Sequence, residues 1–190
     1  CLLQESNMQA LDLLLTRSSF SKITAPAPSG KQLDHIIQAA LRAPDHAHLS
    51  PFDFIICEGE GLNKLTNIFT DAAIKADSSI EKIEKSKKIA FRAPMIIVTI
   101  MRYQEHEKVP RVEQVSTVGC ATQNMQMAAQ AMGFNGIWRT GSFATDINVR
   151  NAFDLKQEDE IIGFLYLGTP ECEPPIKRDR DASKYVRYWR

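Results

Sequence analysis

The stretch Gln114–Gly141, QVSTVGCATQNMQMAAQAMGFNGIWRTG, carries no Asp, Glu, Lys or Arg before Arg139. It is long enough to span a bilayer. However, Gln114, Gln123, Asn124, Gln126, Gln130 and Asn135 are too many amides for a helix facing lipid. A helix uncharged all round is normally buried in a protein interior. Glu113 to Met132 is therefore expected to form an internal helix, closed by Gly133 at the position a left-handed C-terminal cap prefers.

Working outward, MIIVTIM (Met95–Met101) is a β-branched run introduced by Ala93-Pro94 and reads as a buried strand. The charged loop RYQEHEKVPR (Arg102–Arg111) separates it from the helix. Downstream come a short helix near Asn148–Phe153 and a strand at Ile161–Leu167. Upstream, Phe52–Cys57 is a strand between Pro51 and Gly59, followed by helices at Leu62–Ile74 and Ile80–Ile89, the second Lys-rich and exposed. Met8–Leu15 has an amphipathic helical period. Ser29 with Gln32 forms a capping box for a helix that must stop near Ala43, since Pro44 follows. There is no G-x-G-x-x-G and no G-x-x-x-x-G-K-[ST], so neither a Rossmann dinucleotide fold nor a P-loop is expected. The class is α+β, a small mixed β-sheet packed by helices.

A chain of 190 residues supports one core. The 23 basic and 23 acidic residues cancel, which argues against broad binding to nucleic acid or anionic membrane. Cys1, Cys57, Cys120 and Cys172 are scattered, as free thiols of a reducing compartment would be. With no signal-peptide pattern, a cytoplasmic location is expected. Residues 1–7 read as an extension, 8–190 as a single domain, and 171–190 as a C-terminal arm.

Three polar constellations adjoin apolar elements. Arg17, Ser18 and Ser19 follow the first helix as either a solvated helix end or an anion cluster. Arg42, Asp45, His46, His48 and Ser50 crowd the loop before the first strand. Asp45, His46 and His48 are possible zinc ligands by type, yet no E-x-x-H or C-x-x-C completes a set, so no metal site is assigned. No G-x-S-x-G nucleophile elbow is present. Trp138, Arg139 and Thr140 lie between glycines. They are either a turn with Trp138 as a core plug, or a close backbone approach to a flat ligand flanked by Arg and Trp.

The ordered motifs R-S-S, RAPDHAHLSPFDF, AFRAPMIIV, GCATQNMQMAAQAMGFNGIWRTG and IIGFLYLGTP resemble the nitroreductase family of FMN enzymes, in its YdjA-like branch, from about Met8 to Pro170. The resemblance implies an α+β homodimer with FMN in two clefts at the subunit interface. It implies that Arg17, Ser18 and Ser19 hold the FMN phosphate, that Arg42 and His46 touch the flavin, and that Trp138, Arg139 and Thr140 lie along the isoalloxazine. Ala128, Ala129, Gln130, Ala131, Met132 and Gly133 match a stretch linked with NAD(P)H. Where many members have N-x-Q-P-W, this chain has His48, Leu49, Ser50, Pro51 and Phe52; His46 or His48 is then the replacement for the missing amides. Lys177, Arg178 and Arg180 are candidates for a K-x-R phosphate contact.

The implied activity is a ping-pong transfer of hydride from NAD(P)H through FMN to a nitroaromatic, quinone or similar electron-poor acceptor, with Arg17 and Arg42 as candidate cations for the reduced ring. The second subunit would cover the outer face of the uncharged helix, with Met125, Met127 and Met132 in the interface. A rival from another class is a non-enzymatic interaction module, whose best feature is the basic and aromatic tail IKRDRDASKYVRYWR.

Overall fold

A computed structural model describes residues 9–175 and 180–190. The proposed extension 1–7 and the candidate residues Lys177 and Arg178 lie outside them. Five strands form one sheet: β1 (Ile23–Thr24), β2 (Phe52–Glu58), β3 (Met95–Met101), β4 (Asn135–Arg139) and β5 (Glu160–Pro170). β3 pairs with β2 and β5, and β5 also pairs with β4 and, near its end, β1. The helices are α1 (Ala10–Thr16), α2 (Lys31–Ala40), α3 (Glu60–Lys75), α4 (Ile80–Ile89), α5 (Arg111–Ala131) and α6 (Ile147–Ala152).

All four pairings are antiparallel, where a mixed sheet was expected. The connections explain this. The pair α3 and α4 goes out and back, so β3 starts at the end where β2 stopped and runs against it. The single long helix α5 makes β4 run the same way as β3, but β5 inserts between them in the opposite sense. Helix alternation along the chain therefore creates co-directional strands that never become neighbours.

Every residue of β3 is buried, as its β-branched composition requires of a central strand. Period-two alternation divides the core. Met95 and Ile97 with Leu165 and Leu167 face α2 and α5, while Ile96, Val98 and Ile100 with Phe164 and Tyr166 face Leu65 and Phe69 of α3. α5 is internal over much of its surface, with Gln114, Thr117, Val118, Ala121, Thr122, Met125, Gln126 and Ala129 buried. Three of these polar side chains are paired: Thr117 Oγ1 donates to Pro44 O at 2.9 Å, Gln126 Nε2 to Gly136 O at 3.1 Å, and Gln114 Nε2 to Gln104 O at 2.7 Å. Gly133, at φ 84°, closes the helix in the left-handed region.

Met125 corrects an expectation. It is fully buried among Ile36, Ala40, Met95 and Ile97 of its own chain, so it fills the core rather than an interface. The capping box is also not made: Gly30, at φ 51°, is the N-cap of α2, and Gln32 bonds through its backbone N–H to Ser29 O at 3.1 Å. A left-handed entry takes Ser29 out of the position from which its hydroxyl could cap. The largest correction is β4: Asn135–Arg139, within GFNGIWRTG, is a strand, which removes the turn alternative for Trp138 and Arg139. Its one glycine, Gly136, marks a close approach, because a β-carbon there would collide with the carbonyl of Tyr166 across the ladder.

Candidate active site

A cleft of about 770 Å³ opens where the end of β4 and the middle of β5 meet α3 and α4. Its apolar wall comes from three rings: Phe69 stacks on Phe143 with centroids 4.4 Å apart, and meets Phe164 edge-on at 5.1 Å. Opposite stand Lys82, Lys85, Ser86 and Ile89 of α4, and the backbone from Trp138 to Ser142 runs along the side. A smaller, more polar cavity of about 470 Å³ contains Ser21, Lys22, Arg92 and Glu171.

Arg139 and Tyr166 line both spaces and form the partition between them. The Arg139 guanidinium lies 5.8 Å from the centroid of the Tyr166 ring. Its Nε is buried with no hydrogen-bond partner, an arrangement that needs an acceptor from outside the chain. Burial pushes the Tyr166 phenol above its ordinary pKa, against the opposing pull of Arg139 and Arg92, so the ring is neutral at pH 7.

Strand alternation separates Trp138 from Arg139. The indole points to the α5 face, where it packs near Val118 and Ile162 and donates from Nε1 to Ile162 O at 3.0 Å. Only its backbone can border a ligand in the cleft. The two side chains therefore do not flank one ring, which corrects the picture drawn from their adjacency. Thr140 is exposed at the cleft, and Gly141 follows at φ 65°.

Ser18 is buried, whereas Arg17 is only partly covered and its Nη1 stands 3.5 Å from Ser19 Oγ. The segment is tied to β4 by Phe20 N donating to Gly136 O at 2.9 Å. Arg17, Ser18 and Ser19 line neither cavity themselves; the polar one starts two residues later, at Ser21.

Arg42, exposed beyond α2, and the loop after it lie with α5 on the opposite face of the sheet from the cleft. His46 Nδ1 is 2.7 Å from Glu113 Oε2, and Asp45 accepts from Ser50 N at 2.7 Å. Asp45 and His46 are thus engaged separately, and among the described residues no group of three or more His, Cys, Asp or Glu converges. Ala47, His48 and Ser50 all have φ between 50° and 60°, strain that concentrates at functional loops. Ala128–Gly133 is a packed helix end in which Gln130 Oε1 is buried without a partner. Arg180 lies over its own Tyr185 ring at 5.1 Å. Sequence reading missed Lys82, Lys85, Arg92 and Tyr166. The signal for the α4 pair was there: residues 82, 85, 86 and 89 recur at helical spacing.

The nitroreductase family model matches residues 14–169. The chain belongs to the nitroreductase family. It is 46% identical over 183 residues to a protein of Escherichia coli (strain K12) provisionally named NAD(P)H nitroreductase YdjA, an overlap of 96% of this chain and 100% of that one. It is 43% identical over 163 residues to a Haemophilus influenzae protein likewise provisionally named NAD(P)H nitroreductase, covering 85% and 89%. The fold matches that of a nitroreductase-like protein from Bacillus cereus with a TM-score of 0.83, 21% identity and 97% of both chains covered. It also matches the NADPH:FMN oxidoreductase of Vibrio harveyi, solved with NAD+, with a TM-score of 0.69, 20% identity and 94% and 76% covered.

This nitroreductase is accordingly an oxidoreductase, and the reading as a non-enzymatic module gives way. Its tail, exposed from Arg180 onward, then needs no role in defining the activity. Among the described residues no helix is long and apolar enough to cross a membrane.

Proposed function

We propose that this nitroreductase binds FMN, oxidises NAD(P)H and reduces a nitroaromatic, quinone or similar electron-poor acceptor, with donor and acceptor using one site in turn. The observation that carries the cofactor assignment is Arg139, a cation with a buried, unpartnered Nε between an aromatic cleft and a polar cavity holding Lys22 and Arg92. A ligand that is flat and apolar at one end and anionic at the other matches that pairing. FMN has this shape, and Arg17, Ser18 and Ser19 lie beyond the polar cavity along the chain, toward the phosphate end.

When bound, FMN supplies the hydride chemistry, accepting from reduced nicotinamide and passing the electron pair on. This chain's residues bind and position. Phe69, Phe143 and Phe164 exclude water from the cleft, and the backbone at Trp138–Thr140 offers polar groups at its edge. Arg139 provides positive charge that favours an electron-rich ring. Arg17 and Arg42, the other candidate cations, do not line the cleft of their own chain.

Arg42 and His46 cannot reach this cleft in their own chain, because the sheet intervenes. They would act from a second copy, which supports a homodimer with each FMN between subunits. Measuring bound FMN per chain by visible absorbance tests the cofactor. Initial rates over a grid of NADPH and acceptor concentrations test the order of events: parallel double-reciprocal lines are expected, and intersecting lines would remove the shared site.

A further inference from the structure

We propose that Lys82 and Lys85 make the cleft favour acceptors bearing an anionic group, such as a carboxylate, on a flat electron-poor ring. The inference rests on the function proposed above and names the substrate class within it.

The argument starts from the sequence of α4, IEKIEKSKKI (Ile80–Ile89). Residues three and four apart share a helix face. Lys82, Lys85, Ser86 and Ile89 form the face that lines the cleft, whereas Glu81 and Glu84 fall outside that lining. Glu84 is paired with Lys87 at 2.6 Å, a residue that also stays off the cleft. Carboxylates and ammonium groups of one helix are thus sorted. Those turned to the cleft are all cationic, and among the described residues neither Lys82 nor Lys85 makes a salt bridge.

Across the cleft a single acid opposes them and leaves the lining with a surplus of positive charge. The acid in its lining is Asp146, whose Oδ1 accepts from Asn148 N at 2.8 Å and Val149 N at 3.3 Å as the N-cap of α6. Arg139 adds a third cation. Facing them is the low-dielectric wall of Phe69, Phe143 and Phe164, and a charged cleft with such a wall concentrates its field and raises the local concentration of counter-ions. The lysines themselves are exposed, on flexible stems at the rim. Charges in that position act on encounter and orientation, and their effect falls with salt. The cleft's roughly 770 Å³ lies toward the upper end of small-molecule sites, leaving room for a second flat molecule beside a bound ring. An acceptor lying there with its ring against the aromatic side would direct a peripheral anionic group toward α4.

The holoenzyme is assayed with NADPH and three acceptors of similar size: para-nitrobenzoate, para-nitrobenzyl alcohol and para-nitrobenzyltrimethylammonium. Each is measured at low and high salt, in the wild type and in Lys82→Gln/Lys85→Gln. The double variant is expected to lower kcat/KM for the anion by about five- to twentyfold, chiefly through KM, and to leave the neutral alcohol within about twofold. The loss for the anion should shrink at high salt, and Lys82→Glu/Lys85→Glu should shift preference toward the cation. An equal loss on all three acceptors overturns the proposal, as does unchanged discrimination. Loss of bound FMN in the glutamine variant overturns it too, by assigning these lysines to the cofactor. Wild-type protein that binds no FMN and oxidises no NADPH with any acceptor overturns the proposed function instead, and this inference with it.

Discussion

The indole of Trp138 occupies the space that a side chain at Gly163 would need. A β-carbon built on Gly163 collides with Nε1 and Cδ1 of the ring and presses on the Arg139 carbonyl. Trp138 sits on β4 and Gly163 on β5, so the contact fixes how the strand bordering the cleft lies on the strand beneath it. Gly163→Ala is expected to destabilise the protein by about 1–3 kcal/mol, the usual cost of overpacking a core. Urea denaturation would show it as a lower midpoint at constant slope. Trp138→Leu in the same chain should recover part of the loss, and no recovery would mean that the indole is not the obstacle.

Arg102 binds two acids at once. It donates to Asp53 Oδ2 at 2.8 Å and Asp159 Oδ2 at 3.3 Å, and its other N–H groups reach the carbonyls of Phe153 and Asp154. Burial alone would raise the pKa of Asp159, but bonds from Lys156 N, Tyr103 N and Arg102 outweigh it and hold the carboxyl below its ordinary value. A depressed folded-state pKa contributes stability that is complete above the unfolded value and is lost as pH falls through the folded one. Asp159→Asn is therefore expected to cost about 2–4 kcal/mol at neutral pH. It should also flatten the decline in stability below the ordinary Asp range, as chemical denaturation at a series of acid pH values would reveal.

Removing the Arg17 side chain should weaken FMN far more than it weakens the fold. The residue is partly exposed, and its own-chain partner, Ser19 Oγ, is at the limit of hydrogen bonding. Loss of one charged phosphate contact costs about 1.5–3 kcal/mol, roughly ten- to a hundredfold in affinity. Titrating apo Arg17→Ala with FMN, followed by flavin fluorescence, checks this. Wild-type affinity with Arg17 gone would move the phosphate to Lys22 and Arg92.

Met125→Glu should unfold the protein rather than split a dimer, because the side chain is fully enclosed by its own subunit. The face of α5 left for a second copy is the exposed, uncharged row Val112, Ser116 and Cys120. Cys120→Glu is expected to keep the fold and give a monomer depleted of FMN, read together by circular dichroism and size-exclusion chromatography with flavin absorbance. A flavin-loaded dimer of this variant would take the interface away from α5.

How much was legible follows from how local each signal is. Met95–Met101 and Ile80–Ile89 were read to the residue because β-branching and Pro94, or Ser79 and a Lys-rich period, act within a few positions. The site was harder. β4 was hidden because Gly133, Gly136 and Gly141 look like turn signals, and the strand exists through its ladder to β5, some thirty residues further on. Lys82 and Lys85 looked like an ordinary solvated face, since only the packing of α4 beside β4 turns that face toward a cleft. Arg42 and His46 were correctly seen to share a loop, but their position across the sheet depends on the path of α5.

The opposed directions of Trp138 and Arg139 give the segment between Gly136 and Gly141 a parity. Deleting one residue there would invert the faces of everything that follows, aiming an indole at the cleft and a guanidinium beneath α5. Substitutions in this segment can be gradual in effect, whereas a change of its length by one would be all-or-none. Diversification of the cleft is thus open to changes of residue type on β4 and to changes of length only in the loops beyond Gly141.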